Sequence, residues 1–281
     1  MNCNDCPRYC NVDRNKDKGF CGGSNKIVIA KVIENFMWEE PCITGEKGTL
    51  AIFFAGCNLK CCYCQNYKIS HEVKGDCYSP EEFAIFLKSF KLENFSALEF
   101  ITPTHYSSLL IEVFKSFKST IPVVWNSGGY ETVEKIKEVS SFVDVFIPDF
   151  KYSDDKLAIE LSSAPKYFEI ATNAIKQMVK EKGENQFENG ELKKGVLIRH
   201  LVLPGHVGNS INVLKAIKKE ILHPFVSIMS QFVPIKNNQI LKRTILPLEY
   251  KIVLSYAEKL NLNNGFIQEF SSASQNYIPN F

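Results

Sequence analysis

Three cysteines, Cys57, Cys61 and Cys64, stand in a C-x3-C-x2-C spacing in the stretch Gly56-Cys57-Asn58-Leu59-Lys60-Cys61-Cys62-Tyr63-Cys64. A loop this short can bring three thiolates to one centre, and soft thiolates select iron–sulfur clusters, zinc or copper(I). Closed zinc and cubane sites take four protein ligands. This loop supplies three and no histidine. A cubane held by three cysteines keeps one iron free to bind a substrate. Cys62, squeezed between two candidate ligands, is expected to point the other way. A zinc knuckle completed from elsewhere, or part of a disulfide framework, would use the same residue types, and both stay open on cysteine spacing alone.

A second group comprises Cys3, Cys6, Cys10 and Cys21, the last followed by Gly22-Gly23. Glycines let a backbone wrap closely round a centre. The readings are a structural zinc with four thiolates, a second iron–sulfur cluster, or labile thiol pairs. Cys42 and Cys77 lie outside both groups and are expected to pack as small buried hydrophobes. Glu39-Glu40 reads as a solvated pair.

The apolar run Thr49–Ala55 has strand length and composition, so the three-cysteine loop leaves the end of a buried strand. From there strands and helices alternate. Ser79-Pro80-Glu81-Glu82 opens the first helix with a capping serine, a proline at the first helical position and acidic residues suited to the helix dipole. Strands at 97–101, 122–125, 143–147, 195–202 and 225–230 are predicted. They lead to helices at 107–117, 131–139, 154–161 with 168–182, 209–221 and 248–260. The run 265–270 suits a last short strand. Six strand–helix units imply a parallel sheet with right-handed crossovers. The expected architecture is α/β, a partial (β/α)6 TIM-type barrel with a short Cys-rich N-terminal extension. Residues 1–48 form the extension and linker, and 49–281 the barrel core with a C-terminal helix and short tail. Within 24–48, Ile27 to Val32 suits a short strand and Pro41–Gly45 a turn.

Parallel barrels carry their chemistry at the C-terminal ends of the strands. The polar residues ending each run should therefore converge: the cysteine loop, Thr102, Thr104 and His105, Asn126 and Ser127, Asp149 and Lys151, Arg199 and His200, and Gln231. Asp149 and Lys151 share one face by alternation. Arg199 stands inside the apolar run Val196–Leu203, where a charge needs a partner; Asp149 is one candidate. His200 points to the opposite face. His105 is either a substrate-side acid/base or a histidine satisfied at a strand end. Asn126-Ser127-Gly128-Gly129 either cradles hydroxyls or makes a tight turn.

The loop, with Tyr63 before its last cysteine, resembles the signature of radical S-adenosylmethionine (SAM) enzymes. The wider chain is similar to the pyruvate formate-lyase activating enzyme group at Trp38–Cys42, Phe54–Ser70, Thr102–Tyr106, Asn126–Glu131, Pro148–Tyr152, Arg199–Gly205 and Met229–Gln231. The resemblance implies a [4Fe-4S] cluster on Cys57, Cys61 and Cys64, with SAM chelated at the open iron. It implies reductive SAM cleavage to a 5′-deoxyadenosyl radical that abstracts hydrogen from a substrate. A reductant such as flavodoxin or ferredoxin would supply the electron, and a glycyl-radical protein, another peptide or a small molecule would supply the hydrogen. SAM contacts are expected from Thr102, Thr104, Asn126, Asp149, Lys151 and Arg199, and catalytic candidates are His105 and Lys151. The superfamily commonly carries a Gly-Gly-Glu-type motif after the second strand. This chain has Thr102-Pro-Thr-His105 there, so hydroxyls or carbonyls must replace it. Cysteines like those at the N-terminus also occur in the resembling branch, without fixing a metal.

With 33 basic and 31 acidic residues, the net charge of +2 gives no argument for nucleic acid or anionic membrane as partner. No apolar leader opens the chain and no run of 18 apolar residues occurs. Clustered cysteines point to metal binding in a reducing compartment, and a cytoplasmic location is expected.

Overall fold

The computed structural model describes residues 3–235 and 240–272. Its strands are β1 (Ile27–Phe36), β2 (Thr49–Phe54), β3 (Asp76–Tyr78), β4 (Ala97–Ile101), β5 (Val123–Ser127), β6 (Val145–Pro148), β7 (Gln186–Glu188), β8 (Glu191–Val196), β9 (Ile198–Leu201), β10 (Val226–Met229) and β11 (Gly265–Ile267). Its helices are α1 (Pro41–Thr44), α2 (Tyr67–His71), α3 (Pro80–Lys88), α4 (Ser107–Ser116), α5 (Val133–Val139), α6 (Asp155–Ser162), α7 (Tyr167–Lys182), α8 (Val207–Glu220) and α9 (Pro247–Lys259).

Strands β2, β4, β5, β6 and β8 pair in parallel in that order, and β9, β10 and β11 form a second parallel set. A parallel bridge between Asp149 and Arg199 joins the two sets. The sequence predicts one strand over 195–202; the structure breaks it at Leu197 into β8 and β9. Counting that broken strand once, six parallel strands each lead into a helix, and β11 follows as a seventh. This is a partial TIM-type barrel. Helix α3 starts as its sequence dictates: Ser79 Oγ accepts from the Glu82 amide, and the Glu82 carboxylate accepts from the Ser79 amide.

The edges are antiparallel. β1 pairs with β2 and β3 with β1, so the segment before residue 49 contributes β1, the strand next to the edge of the barrel sheet. Pro41–Gly45 was expected as a turn and is the short helix α1 followed by Gly45. β7 and β8 form a hairpin on Asn189-Gly190, both at positive φ (51° and 81°), the pair a two-residue turn favours. Cys42 is buried as expected, but Cys77 is exposed on the edge strand β3, because that strand has no neighbour on its outer side among the described residues.

Alternation decides what the barrel encloses. Leu50, Ile52, Phe54, Leu98, Phe100, Trp125, Phe146 and Ile228 belong to the core beneath the helices. The intervening positions face inward. In β2 and β4 they include Ala51, Phe53 and Ile101, which pack together. Thr49, Glu99, Asn126, Arg199 and Ser227 share this inward parity and are all buried. No helix among the described residues is long and apolar enough to cross a membrane.

Candidate metal and SAM site

The cysteine loop begins where β2 ends. Gly56 turns the chain at φ +86°, and a Cβ there would stand 2.5 Å from the Cys21 carbonyl oxygen, so only glycine fits. His105 Nε2 and the Tyr106 hydroxyl donate to the Ala55 carbonyl at 2.9 and 3.2 Å. Asn58 Nδ2 donates to the Tyr130 carbonyl at 2.7 Å. The amides of Lys60 and Cys62 donate to the carbonyls of Ser162 and Leu161 at the end of α6. The loop is thus held from four directions.

Each thiol of the triad receives a hydrogen bond. The Leu59 amide donates to Cys57 Sγ at 3.3 Å, the Ser162 hydroxyl to Cys61 Sγ at 2.9 Å, and the Ser70 hydroxyl to Cys64 Sγ at 3.4 Å. Donors aimed at sulfur suit thiolate ligands and tune a cluster bound to them. As free thiols, Cys57 and Cys61 are pushed up by burial, to about 12 and about 11. A bound metal overrides this, because a coordinating thiol is deprotonated outright. Cys62 lies off the cavity that the other three line, as expected.

The triad's three sulfurs line one cavity and each receives a hydrogen bond, a thiolate donor set that fits a cluster. The N-terminal thiols are near one another: Cys6 feels the charges of Cys21, Cys3 and Cys10. Burial pushes Cys6 up to about 12. Asp5 ties the extension to the barrel by accepting a hydrogen bond from Ser108, and within the extension it forms a buried ion pair with Arg14 at 3.1 Å.

The cavity measures about 440 Å³, within the usual range of ligand pockets. The three cysteines line it, and in the same cavity Arg199 organises a buried charge network. Its Nε contacts Asp149 Oδ1 at 3.1 Å, Nη1 contacts Glu39 Oε2 at 2.6 Å, and Nη2 donates to Asn126 Oδ1 at 2.6 Å. Lys151 Nζ lies 2.5 Å from Asp149 Oδ2. Asn126 Nδ2 donates to Glu99 Oε1 at 2.9 Å and to Glu39 Oε1 at 3.1 Å, and Thr49 donates to Glu99 Oε2 at 2.8 Å. Burial acts to raise Asp149, but Lys151 and Arg199 outweigh it and hold the carboxyl below its ordinary value. Burial, then the facing charge of Glu99, raises Glu39; burial also raises Glu99.

Of the sequence candidates, Thr102, Asn126, Ser127, Asp149, Lys151, Arg199 and Gln231 line the cavity. Thr104, His105 and His200 do not. Thr104 donates to Glu131 Oε1 at 3.1 Å. His105 is fully buried under the N-terminal extension, and burial lowers it to about 3. His200 Nδ1 donates to the Phe150 carbonyl at 2.8 Å, on the helix side. Thr102, which stands where a glycine pair was awaited, holds φ +61°, a conformation a β-branched residue rarely adopts.

Three residues were missed. Glu39 and Glu40 were taken for a solvated pair; both are buried, Glu39 against Arg199, because β1 carries the chain back to the cavity before α1. Glu99 sits wholly buried in the apolar strand β4, and the rule that singled out Arg199 applies equally to it. A second hollow, about 550 Å³, lies between α9 and the strands β10 and β11; no cysteine lines it.

Residues 43–166 match the model of the 4Fe-4S single cluster domain family. An uncharacterised protein of Methanocaldococcus jannaschii is 30% identical over 282 aligned residues, covering 93% of this chain and 76% of that protein. The FeFe-hydrogenase maturase of Carboxydothermus hydrogenoformans has a TM-score of 0.53 at 13% identity, covering 85% of this chain and 58% of that one, a likeness of fold. A domain of a pyruvate-formate lyase-activating enzyme from Bacteroides vulgatus gives a TM-score of 0.44 at 14% identity, covering 58% and 92%. The chain belongs to the family that includes the M. jannaschii protein.

Proposed function

We propose that the protein is a radical SAM enzyme that cleaves SAM reductively and directs the resulting radical to a substrate held in the same cavity. The observation that carries this is the triad itself: three hydrogen-bonded thiols lining one cavity together with Asp149, Lys151, Arg199 and Asn126. When bound, a [4Fe-4S] cluster supplies one electron to SAM, whose sulfur–C5′ bond breaks to give methionine and a 5′-deoxyadenosyl radical.

The chain's own residues do the rest. Cys57, Cys61 and Cys64 hold the cluster and leave one corner for the amino and carboxylate groups of SAM. Lys151 and Arg199 favour an anionic group beside Asp149. Thr102 presents a hydroxyl where the Gly-Gly-Glu-type motif would stand. The buried walls, with Phe36, Phe53 and Met229 among them, keep water and stray hydrogen donors away. An external one-electron donor such as flavodoxin or ferredoxin completes the electron balance. Modification of a small molecule or a side chain is favoured over activation of a backbone glycine, because a bare glycine offers nothing to the carboxylates at the far end of the cavity.

Anaerobic reconstitution with iron and sulfide tests the reading. An absorbance that dithionite bleaches, with dithionite-dependent release of 5′-deoxyadenosine from SAM, supports it. A colourless protein that retains zinc on the loop and releases none rejects it.

A further inference from the structure

The end of the cavity beyond Arg199 has more acid than base. The two cations that line the cavity are both engaged: Arg199 contacts Asp149, Glu39 and Asn126, and Lys151 contacts Asp149. Glu99, behind Asn126, has neutral hydrogen-bond donors in Asn126 and Thr49. Glu40 also lines this end and is 8% exposed. Its charge reaches both Glu39 and Arg199, yet its Oε2 is buried with no hydrogen-bond partner.

A second orphan lines the same cavity on an independent element. Ser227 pairs with Arg199 in the β9–β10 register, lines the same cavity and is fully buried, and its hydroxyl has no partner. An unpaired buried carboxylate oxygen and an unpaired buried hydroxyl each carry a desolvation penalty that a ligand can lift. The carboxylate only accepts. A ligand that satisfies it must donate hydrogen bonds, and a positive charge offsets the surplus carboxylate. Trp38 and Phe36, with ring centroids 5.4 Å apart, line this end as well and offer aromatic faces to a cation.

We propose that the substrate presents a protonated amine or guanidinium to Glu40 and Ser227 in this cavity. This rests on reading the cavity as the radical site and names the class of molecule that enters it. A carboxylate or phosphate at this end would face Glu40 and be repelled.

The test is calorimetry on the anaerobically reconstituted protein with SAM present, using n-butylamine and n-butylguanidine against n-butanol and n-butyrate. The cationic probes are expected to bind and the butyrate not to bind. Glu40→Gln should weaken cation binding by about tenfold or more, the loss of a charged hydrogen bond, and Ser227→Ala should weaken it severalfold. Thermal melts check that the variants fold, and Glu40→Asp, which keeps the charge, should retain part of the affinity. Butyrate binding as well as butylamine, or folded Glu40→Gln and Ser227→Ala proteins that bind the cations unchanged, would overturn the assignment. Deoxyadenosine release is read in the same samples. Its absence counts against the radical reading, whereas its presence without cation preference counts against this inference alone.

Discussion

Arg199 reaches Asp149 twice. The guanidinium Nε lies 3.1 Å from the Asp149 carboxylate, and the backbones of the two residues form the bridge that joins the two halves of the parallel sheet. One residue thereby joins the two sets of strands and carries the charge at the cavity. Replacing Arg199 with methionine leaves Glu39 and Asp149 buried without it, and breaking a buried pair in this way costs about 3–5 kcal/mol. Arg199→Lys should recover only part, because one ammonium cannot make three divergent contacts. Urea unfolding of both variants measures this, and a wild-type midpoint for Arg199→Met contradicts it.

The ligand assignment separates neighbouring cysteines. Alanine at Cys57, Cys61 or Cys64 should abolish both cluster absorbance and deoxyadenosine formation. Alanine at Cys62, which lies off the cavity, should leave both in place. Turnover retained by Cys61→Ala would contradict the assignment.

A hydroxyl chain ends on one ligand. Tyr63 and Tyr152 share a hydrogen bond at 2.6 Å, Tyr152 and Ser162 another at 2.5 Å, and Ser162 donates to Cys61 Sγ. Hydrogen bonds to cluster sulfurs raise the reduction potential, since they favour the more negative, reduced state. Ser162→Ala should therefore shift the midpoint in an anaerobic redox titration to more negative values with iron content unchanged. An unmoved potential would remove Ser162 from that role.

Two buried neutral histidines make the fold acid-sensitive. Burial holds His105 at about 3 and His200 at about 4, below the unfolded value near 6.5. The unfolded chain therefore takes up protons first, and stability falls as pH drops below about 6.5, by on the order of 1–2 kcal/mol per histidine between pH 7 and 5. Urea midpoints across that range should slope downward towards acid. His200→Gln should flatten the slope by about half that total, and an identical slope in the variant would exclude the histidine as its source.

Gly56 couples the N-terminal extension to the cluster loop. Gly56→Ala combines an unfavourable positive φ with a Cβ against the Cys21 carbonyl. It should cost more than about 1 kcal/mol and lower the iron retained after reconstitution. An unchanged denaturation curve would show that the extension does not press on the loop.

Much of this was legible because it follows local rules. The strand–helix alternation from Thr49 onward set the barrel, and Arg199 was conspicuous in its apolar run. The same reasoning reaches Glu99 in Ala97-Leu-Glu-Phe-Ile101, and Asn189-Gly190 is a plain hairpin signal. Glu39 was different: it lies on a connection after β1, and only the tertiary path to the cavity buries it. Thr104 and His105 left the cavity for a related reason. Alternation ends with the strand, and the 3-10 turn Thr104–Tyr106 carries both side chains towards Glu131 and Ala55.

The most direct test concerns the open corner. Electron paramagnetic resonance spectra of the reduced, reconstituted protein should change when SAM is added, as SAM ligates the iron that no cysteine holds. A spectrum identical with and without SAM, in protein that carries its full iron on Cys57, Cys61 and Cys64, would contradict the proposed chemistry.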